Sequence, residues 1–362
     1  MYSPLRYAGH ILWKRRPIQL TFFVTKRCNA KCPFCFYLQE PDTQADQATE
    51  ISLQEVEKLA PSLGKLLWLA FSGGEPYLRE DIIELSRIFY KRNKPSIILY
   101  STNGLATQLI RDRTEAILRS CPNSTVVTKL SLDGLYDKHD ALRGIPGSFD
   151  KVMNTYEALS ELQEKYSNFE LGINTVFCTA NQNHIGDIFN FVKGLKNVRT
   201  HTLSMVRGAR GILKTKDLKN IDLDRYHEAI KTMEEDLKKQ LAKSYRFLGS
   251  RIKSAQDILQ RRLIYRTLLE DRRMLPCYAG QLNIVLTESG DVYPCELLNR
   301  KFGNIKDHDY NIRKLLKSGE AKAIVQEIKS SKCHCSHECY FITNILFNPR
   351  TYPMLAKEYL QL

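Results

Sequence analysis

Between Pro17 and about Ser204, short apolar runs alternate with amphipathic stretches in a βαβα rhythm, a pattern that predicts a parallel sheet covered by helices. The runs that read as strands are Ile18 to Thr25, Leu67 to Ser72, Ile97 to Thr102, Val126 to Leu132, Leu171 to Phe177 and Arg199 to Ser204. These six strands are too few for a full eight-stranded barrel. Helices fill the gaps, among them Ser52 to Leu63, where Ser52 and Glu55 are placed as a capping box, and Ser148 to Glu164, opened by Ser148. In parallel α/β folds ligands sit at the carboxyl ends of the strands, so chemistry is expected in the loops that follow these runs.

From Asp222 to about Arg273 the period turns helical, with Leu, Ile, Met and Tyr at three- and four-residue spacing among many charges. This stretch predicts a helical connector. Beyond it, Gly280, Gly290, Pro294 and Gly303 punctuate brief β-like runs, a composition suited to a small domain held by metal as much as by a core. The chain accordingly divides into an N-terminal extension over 1–16, an α/β unit over 17–206, the connector over 207–274, a cysteine-rich domain over 275–345 with its boundary near Leu275, and a tail over 346–362.

A hydrophobic share of 43% and a charged share of 26% in 362 residues belong to a globular chain and argue against disorder or a fibre. No apolar run approaches the roughly 20 residues that span a bilayer, and the start lacks the apolar core and cleavage site of a signal peptide, so the protein is expected in the cytosol. In that reducing compartment its 10 cysteines are read as metal or catalytic ligands and not as a disulfide framework. Three fall within eight residues near the N-terminus and five lie between Cys277 and Cys339, which suggests two metal centres; Cys121 and Cys178 stand apart and read as buried apolar residues. The formal charge of +14 favours an anionic partner, whether a phosphorylated or acidic substrate, a nucleic acid or an anionic surface, against the plainer reading of a basic solvated face. Nucleic acid is the less favoured of these, because aromatic interleaving among the Lys and Arg between Arg207 and Arg273 is weak.

The segment TKRCNAKCPFCF places Cys28, Cys32 and Cys35 directly after the first strand. Three thiolates this close can ligate three irons of a cubane cluster and leave the fourth iron open for a small chelating molecule. Zinc is the main competitor, yet a structural zinc wants four ligands and no local His or Cys completes this set. The segment resembles the radical S-adenosylmethionine (SAM) superfamily, whose C-x3-C-x2-C follows the first strand and normally has an aromatic before the last cysteine, here Phe34. The resemblance implies a [4Fe-4S] cluster whose unique iron is chelated by the amino and carboxylate groups of SAM. It further implies that one electron from the cluster breaks the sulfonium bond to give a 5′-deoxyadenosyl radical, which abstracts hydrogen from a substrate. The expected fold class is then α/β, a partial (β/α)6 barrel with a helical connector and a small C-terminal cysteine-rich α+β domain.

The loops behind the triad extend the likeness. Phe71-Ser72-Gly73-Gly74-Glu75-Pro76 closes the second strand; its glycines let backbone approach a ligand and Glu75 can accept from an ammonium. It resembles the family's GGEP motif, which holds the methionine amino group. Ser101 and Asn103 after the third strand, and Ser131 and Asp133 after the fourth, look like the family's contacts to ribose and methionine, although either loop alone is an ordinary polar turn. Arg143, in the stretch Asp140 to Gly144 before Gly147-Ser148-Phe149, is a candidate fork for the methionine carboxylate, and Gly172 and Asn174 on the fifth strand are candidates near the adenine.

In the last region Cys277 and Cys295 flank a run consistent with a hairpin that places both thiols together, and Cys333-x-Cys335-x3-Cys339 returns to the same place. This resembles the SPASM and twitch type of C-terminal extension, which carries auxiliary iron-sulfur clusters. The full SPASM pattern has seven cysteines and this region has five, so one auxiliary [4Fe-4S] cluster is expected. Cys277 and Cys295 are its expected ligands, with Cys335 and Cys339 favoured over Cys333 by the closing C-x3-C spacing. A zinc ribbon that uses His334 or His337 is the structural alternative. The resemblance implies an enzyme acting on a peptide or a small biosynthetic intermediate, reduced by ferredoxin or flavodoxin; an RNA-modifying radical SAM enzyme and a non-catalytic iron-sulfur electron carrier are the competing readings.

Overall fold

A computed structural model describes residues 1–38, 49–207, 219–243, 245–331 and 333–362. The first residues of the expected connector, 208–218, thus lie outside the described residues. Six parallel strands form the α/β unit: β1 (Gln19–Phe23), β2 (Trp68–Ser72), β3 (Ile97–Thr102), β4 (Thr125–Ser131), β5 (Phe169–Phe177) and β6 (Thr200–Met205). Helices α1 (Leu53–Leu63), α2 (Ile82–Asn93), α3 (Thr107–Ser120), α4 (Asp137–Arg143), α5 (Ser148–Lys165) and α6 (Ile185–Gly194) cross between them. The expected strands sit where the apolar runs placed them, displaced by a residue or two at their ends. The sheet stays open, an incomplete barrel. The capping box of α1 forms in both directions, Ser52 N–H to the Glu55 carboxylate at 2.7 Å and Glu55 N–H to Ser52 Oγ at 3.3 Å.

The cysteine-rich region does not build a sheet of its own. Its strands β7 (Asn283–Leu286), β8 (Asp291–Tyr293) and β9 (Gly303–Asn304) continue the first sheet, because β7 pairs in parallel with the outer edge of β1, Gln19 opposite Asn283 and Phe22 opposite Leu286. The edge of β1 is thereby covered instead of presenting a row of unpaired backbone groups. A four-residue apolar run followed by a turn reads as a local hairpin, and the hairpin is there; its long-range parallel partner leaves no mark in the pattern.

The connector supplies α7 (Leu223–Lys238) and α8 (Ser250–Leu269). Helix α8 is buried on nearly every side, including Lys253, Gln256, Gln260 and Arg261, and it lies against the open side of the barrel, where Lys253, Asp257 and Gln260 face the interior. The cysteine-rich region adds α9 (Ile312–Leu316), α10 (Gly319–Ser330) and α11 (Glu338–Leu346), and the expected tail is a further helix, α12 (Tyr352–Leu360). It packs on α8, and its buried Glu358 accepts from Arg262 at 2.6 Å. The N-terminal extension forms a 3-10 turn over Pro4–Ile11 whose buried Tyr7 hydroxyl donates to the Leu66 carbonyl.

On α4, the fully buried His139 accepts the Asp133 backbone N–H on Nδ1 at 3.2 Å. Burial, with Arg143 nearby, drops its pKa from 6.5 to about 3. The unfolded chain protonates this imidazole first, so its contribution to stability is complete above the unfolded value and is lost as pH falls toward the folded one. One unit below the unfolded value the loss is about 1.4 kcal/mol. Acid lowering of the unfolding midpoint should be smaller by that increment in His139→Gln than in the wild type, measured by thermal melts between pH 7 and pH 5.5; parallel curves for the two proteins would refute it.

Candidate active site

The end of β1 runs straight into the cysteine triad, and the glycine loop after β2 is hydrogen-bonded to it. Gly74 N–H donates to the Thr25 carbonyl at 2.8 Å and Glu75 N–H to the Arg27 carbonyl at 2.7 Å. A Cβ at Gly73, where φ is +126°, would meet Thr25 O at 2.4 Å, and one at Gly74 would meet Arg27 O at 2.1 Å. Only glycine permits this approach, so both glycines are needed to place the thiols before any ligand is considered. On the other side, Lys31 N–H donates to the Arg143 carbonyl at 2.9 Å, which anchors the triad loop on the end of α4.

Glu75 itself is fully buried behind the loop. Its carboxylate accepts Asn103 N–H at 2.7 Å, Thr102 Oγ1–H at 2.8 Å and Tyr77 N–H at 3.2 Å. Burial pushes its pKa up to about 7, against the pull of those three donors. The Asn103 side chain in turn donates to Asn29 Oδ1 at 2.7 Å and lies 3.8 Å from Cys28 Sγ. Glu75 therefore acts on the site through Asn103 and does not open on the interior; the same holds for Pro76, which starts a buried 3-10 turn. Asp133 is likewise buried, accepting Val176 N–H at 2.7 Å and ion-paired with Arg143. Arg143, held by Asp133, points its other nitrogen at Cys32 Sγ at 3.4 Å and covers the Phe34 ring.

Gly73, Gly74, Ser101, Asn103, Ser131, Arg143 and Asn174 all line one chamber of about 300 Å³ with the three triad cysteines. Gly172 is absent from that lining; a Cβ there would strike Thr200 Oγ1 at 2.6 Å, so its smallness serves packing between β5 and β6. The chamber extends to residues that the motifs did not single out. Arg207, just after β6, pairs with Glu296 at 2.8 Å and Glu338 at 3.0 Å. His337 Nε2 lies 2.8 Å from the same Glu296 carboxylate. The available signal was sequence adjacency, since Glu296 follows Cys295 and Glu338 precedes Cys339.

In the second group, Cys277, Cys295, Cys333 and Cys335 are electrostatic neighbours of one another, each with its pKa raised by burial. Cys339, in the first turn of α11, lies on the chamber side, with its sulfur within 4.8 Å of Glu296 and His337. Cys335 precedes the helix and Cys339 lies one turn into it, with Cys295, Cys277 and Cys339 all electrostatic neighbours of Tyr340. His334 bonds Asp271 at 2.9 Å and His337 bonds Glu296, so neither histidine is turned to the thiol quartet. Cys121 and Cys178 are buried in the core.

A single tetrahedral zinc at about 2.3 Å from each sulfur draws its thiolates to about 3.8 Å apart. Among the described residues, the one trio of metal-capable side-chain atoms mutually within 4.8 Å is Glu296, His337 and Cys339, and there the Arg207 guanidinium occupies Glu296. Among the described residues neither cysteine group is drawn in to single-ion spacing, and a donor set made of thiols alone suits iron-sulfur ligation. Among the described residues the triad offers three thiols with no fourth metal-binding side chain grouped with them, and the glycine loop and polar strand ends open on the same space, so a small ligand can complete that site.

These features define an iron-sulfur enzyme with a ligand chamber at the carboxyl ends of a parallel sheet. Residues 22–192 match the profile of the Radical SAM superfamily and residues 277–340 that of the SPASM iron-sulfur cluster-binding domain. The protein belongs to the radical SAM superfamily, with a SPASM domain, and its cofactors are a [4Fe-4S] cluster with SAM and auxiliary iron-sulfur. It is 25% identical over 325 residues to an AdoMet-dependent heme synthase of Methanosarcina barkeri, covering 88% of this chain and 87% of that one. It is 26% identical over 339 residues to the subtilosin biosynthesis protein AlbA of Bacillus subtilis, covering 89% of this chain and 66% of AlbA. Its fold matches that of anSMEcpe with bound AdoMet at a TM-score of 0.63 and 18% identity, over 96% of each chain.

Replacing Glu75 by Ala strands three buried donors, a cost of roughly 1–3 kcal/mol for each. Weaker SAM binding in equilibrium dialysis, with iron content near wild type, is the expected outcome; full affinity would show the clamp to be dispensable. After anaerobic reconstitution, Cys333→Ala and Cys335→Ala should each lose about four irons, whereas Cys339→Ala should keep them; loss in Cys339→Ala alone would reverse the assignment.

Proposed function

We propose that Cys28, Cys32 and Cys35 hold a [4Fe-4S] cluster at which SAM is reductively cleaved, and that the enzyme abstracts hydrogen from a peptide or small biosynthetic substrate in the chamber. The observation that carries this reading is the convergence of the triad, the Gly73–Gly74 backbone and the polar strand ends on a single space. A cluster held by these three thiols would supply a one-electron reduction to a bound SAM, whose S–C5′ bond would part into methionine and a 5′-deoxyadenosyl radical. The chain's own residues bind and orient. Asn103, Ser131 and Asn174 offer hydrogen-bonding groups along the rim, Phe34 and Phe36 limit water, and Arg143 lends positive charge to the Cys32 thiolate. Cys277, Cys295, Cys333 and Cys335 hold one auxiliary [4Fe-4S] cluster that carries electrons or meets substrate. Reduced ferredoxin or flavodoxin in the cytosol is the proposed donor.

The likeness to a heme synthase and to a bacteriocin biosynthesis protein supports a biosynthetic or maturation role. The ligand chamber weighs against a bare electron carrier, which needs no such space. Among the described residues no helix is long and apolar enough to cross a membrane. Protein reconstituted anaerobically should form 5′-deoxyadenosine from SAM only when reductant is added, followed by chromatography; a preparation with full iron and sulfide that forms none would overturn the proposal.

A further inference from the structure

Beside the chamber, near the amino ends of β5 and β6, lies a separate cavity of about 520 Å³. Arg199 immediately before β6, Lys243 and Arg246 in the stretch between α7 and α8, and Arg251 in the first turn of α8 all line it, and no Asp or Glu does. Among the described residues none of these four cations is ion-paired, whether to a side chain or to Leu362, which also reaches the cavity. Lys243 Nζ donates to the Lys196 carbonyl, Arg246 to the Phe169 carbonyl at 3.2 Å and Arg251 Nε to the Tyr359 carbonyl at 3.0 Å, while the buried Nε of Arg199 has no partner. The acids around the cavity are engaged elsewhere. Asp236 pairs with Lys193 at 2.5 Å, and Asp257 accepts from Lys253 and from the Tyr245 hydroxyl. Glu170, which accepts the Arg246 backbone N–H at 2.8 Å, is an electrostatic neighbour of Arg199 and Arg246, and burial raises its own pKa. The charge that acts on Lys243 is that of Arg199, and with burial it holds the Lys243 pKa below its ordinary value. The first turn of α8 adds the positive end of the helix dipole, since Gly249 offers no capping side chain and no acid stands in that turn. Like charges gathered on one space repel, and a bound anion removes that repulsion.

We infer that this cavity is a binding site for a phosphate group, held by Arg199, Lys243, Arg246 and Arg251 at the amino end of α8. A phosphate ester carries about two negative charges and offers acceptors in several directions at once. That suits guanidinium and ammonium donors converging from a strand end, a connecting stretch and a helix, of which a planar carboxylate meets fewer. Tyr245 lines both this cavity and the chamber, so a phosphate held here stands one side chain from the chamber wall.

The test dialyses the reconstituted protein to equilibrium at low ionic strength against radiolabelled inorganic phosphate. One phosphate per chain should bind saturably. Arg199→Gln, Lys243→Gln and Arg251→Gln, each in a different part of the chain, should each weaken it about tenfold with iron content at the wild-type level. Lys322→Gln, the same loss of charge at an exposed position on α10, should leave it unchanged. Phenyl phosphate should displace the label far better than the dicarboxylate isophthalate. Phenyl phosphate and vesicles containing phosphatidic acid, compared as competitors, tell a soluble ester from a lipid headgroup by which of them displaces the label at lower phosphate concentration. Absence of saturable binding, wild-type affinity in all three cavity variants, an equal loss in Lys322→Gln, or equal displacement by isophthalate overturns the inference. Because the readout is binding and not turnover, absence of deoxyadenosine formation would strike the proposed reaction and leave this result standing.

Discussion

The buried carboxylate of Glu75 gathers the loops after β2 and β3, while the backbone N–H groups of Gly74 and Glu75 fasten the same turn to the strand that leads into the triad. Three separate strand ends are thus held at one point by hydrogen bonds shielded from water, where each is worth more and each unmade bond costs more. Without this junction the cysteine loop would have its glycine neighbours but no fixed position relative to Asn103. The rest of the site is arranged around it. Arg143 and Asp133 repeat the device on the far side, with a buried acid holding a cation against Cys32.

The walls of the chamber come from parts of the chain distant in sequence. Helix α8 covers the open side of the sheet, and the acids beside Cys295 and Cys339 reach the chamber from the cysteine-rich region. Tyr37, just past the triad, donates to Glu288 at the end of β7, and Lys26 pairs with the same carboxylate at 3.2 Å. Both cysteine groups are therefore seated on one continuous sheet and not on two bodies joined by a linker.

Much of this was legible from residue order. The βαβα rhythm, the capping box and the placement of the triad after a strand are local signals, and local signals survive in one dimension. The role of Glu75 was half legible: GGE marks the loop, but nothing in the sequence tells whether the carboxylate faces a ligand or the Asn103 backbone. Asp133 is the same case, an acid at a strand end that turns out to face Arg143 and Val176. Where α11 begins, between Cys335 and Cys339, is likewise something spacing alone does not disclose.

The pairing of β7 with β1 also sets a length. Because Gln19–Phe22 and Asn283–Leu286 are locked in parallel register, the separation between the two cysteine groups is a property of the sheet. A slip of one residue would carry the second group along the strand by about 3.3 Å and turn every side chain of β7 to the opposite face. The hydrogen-bond ladder thus acts as a ruler between the two cysteine groups, so strand substitutions that never touch a thiol can alter the distance between them.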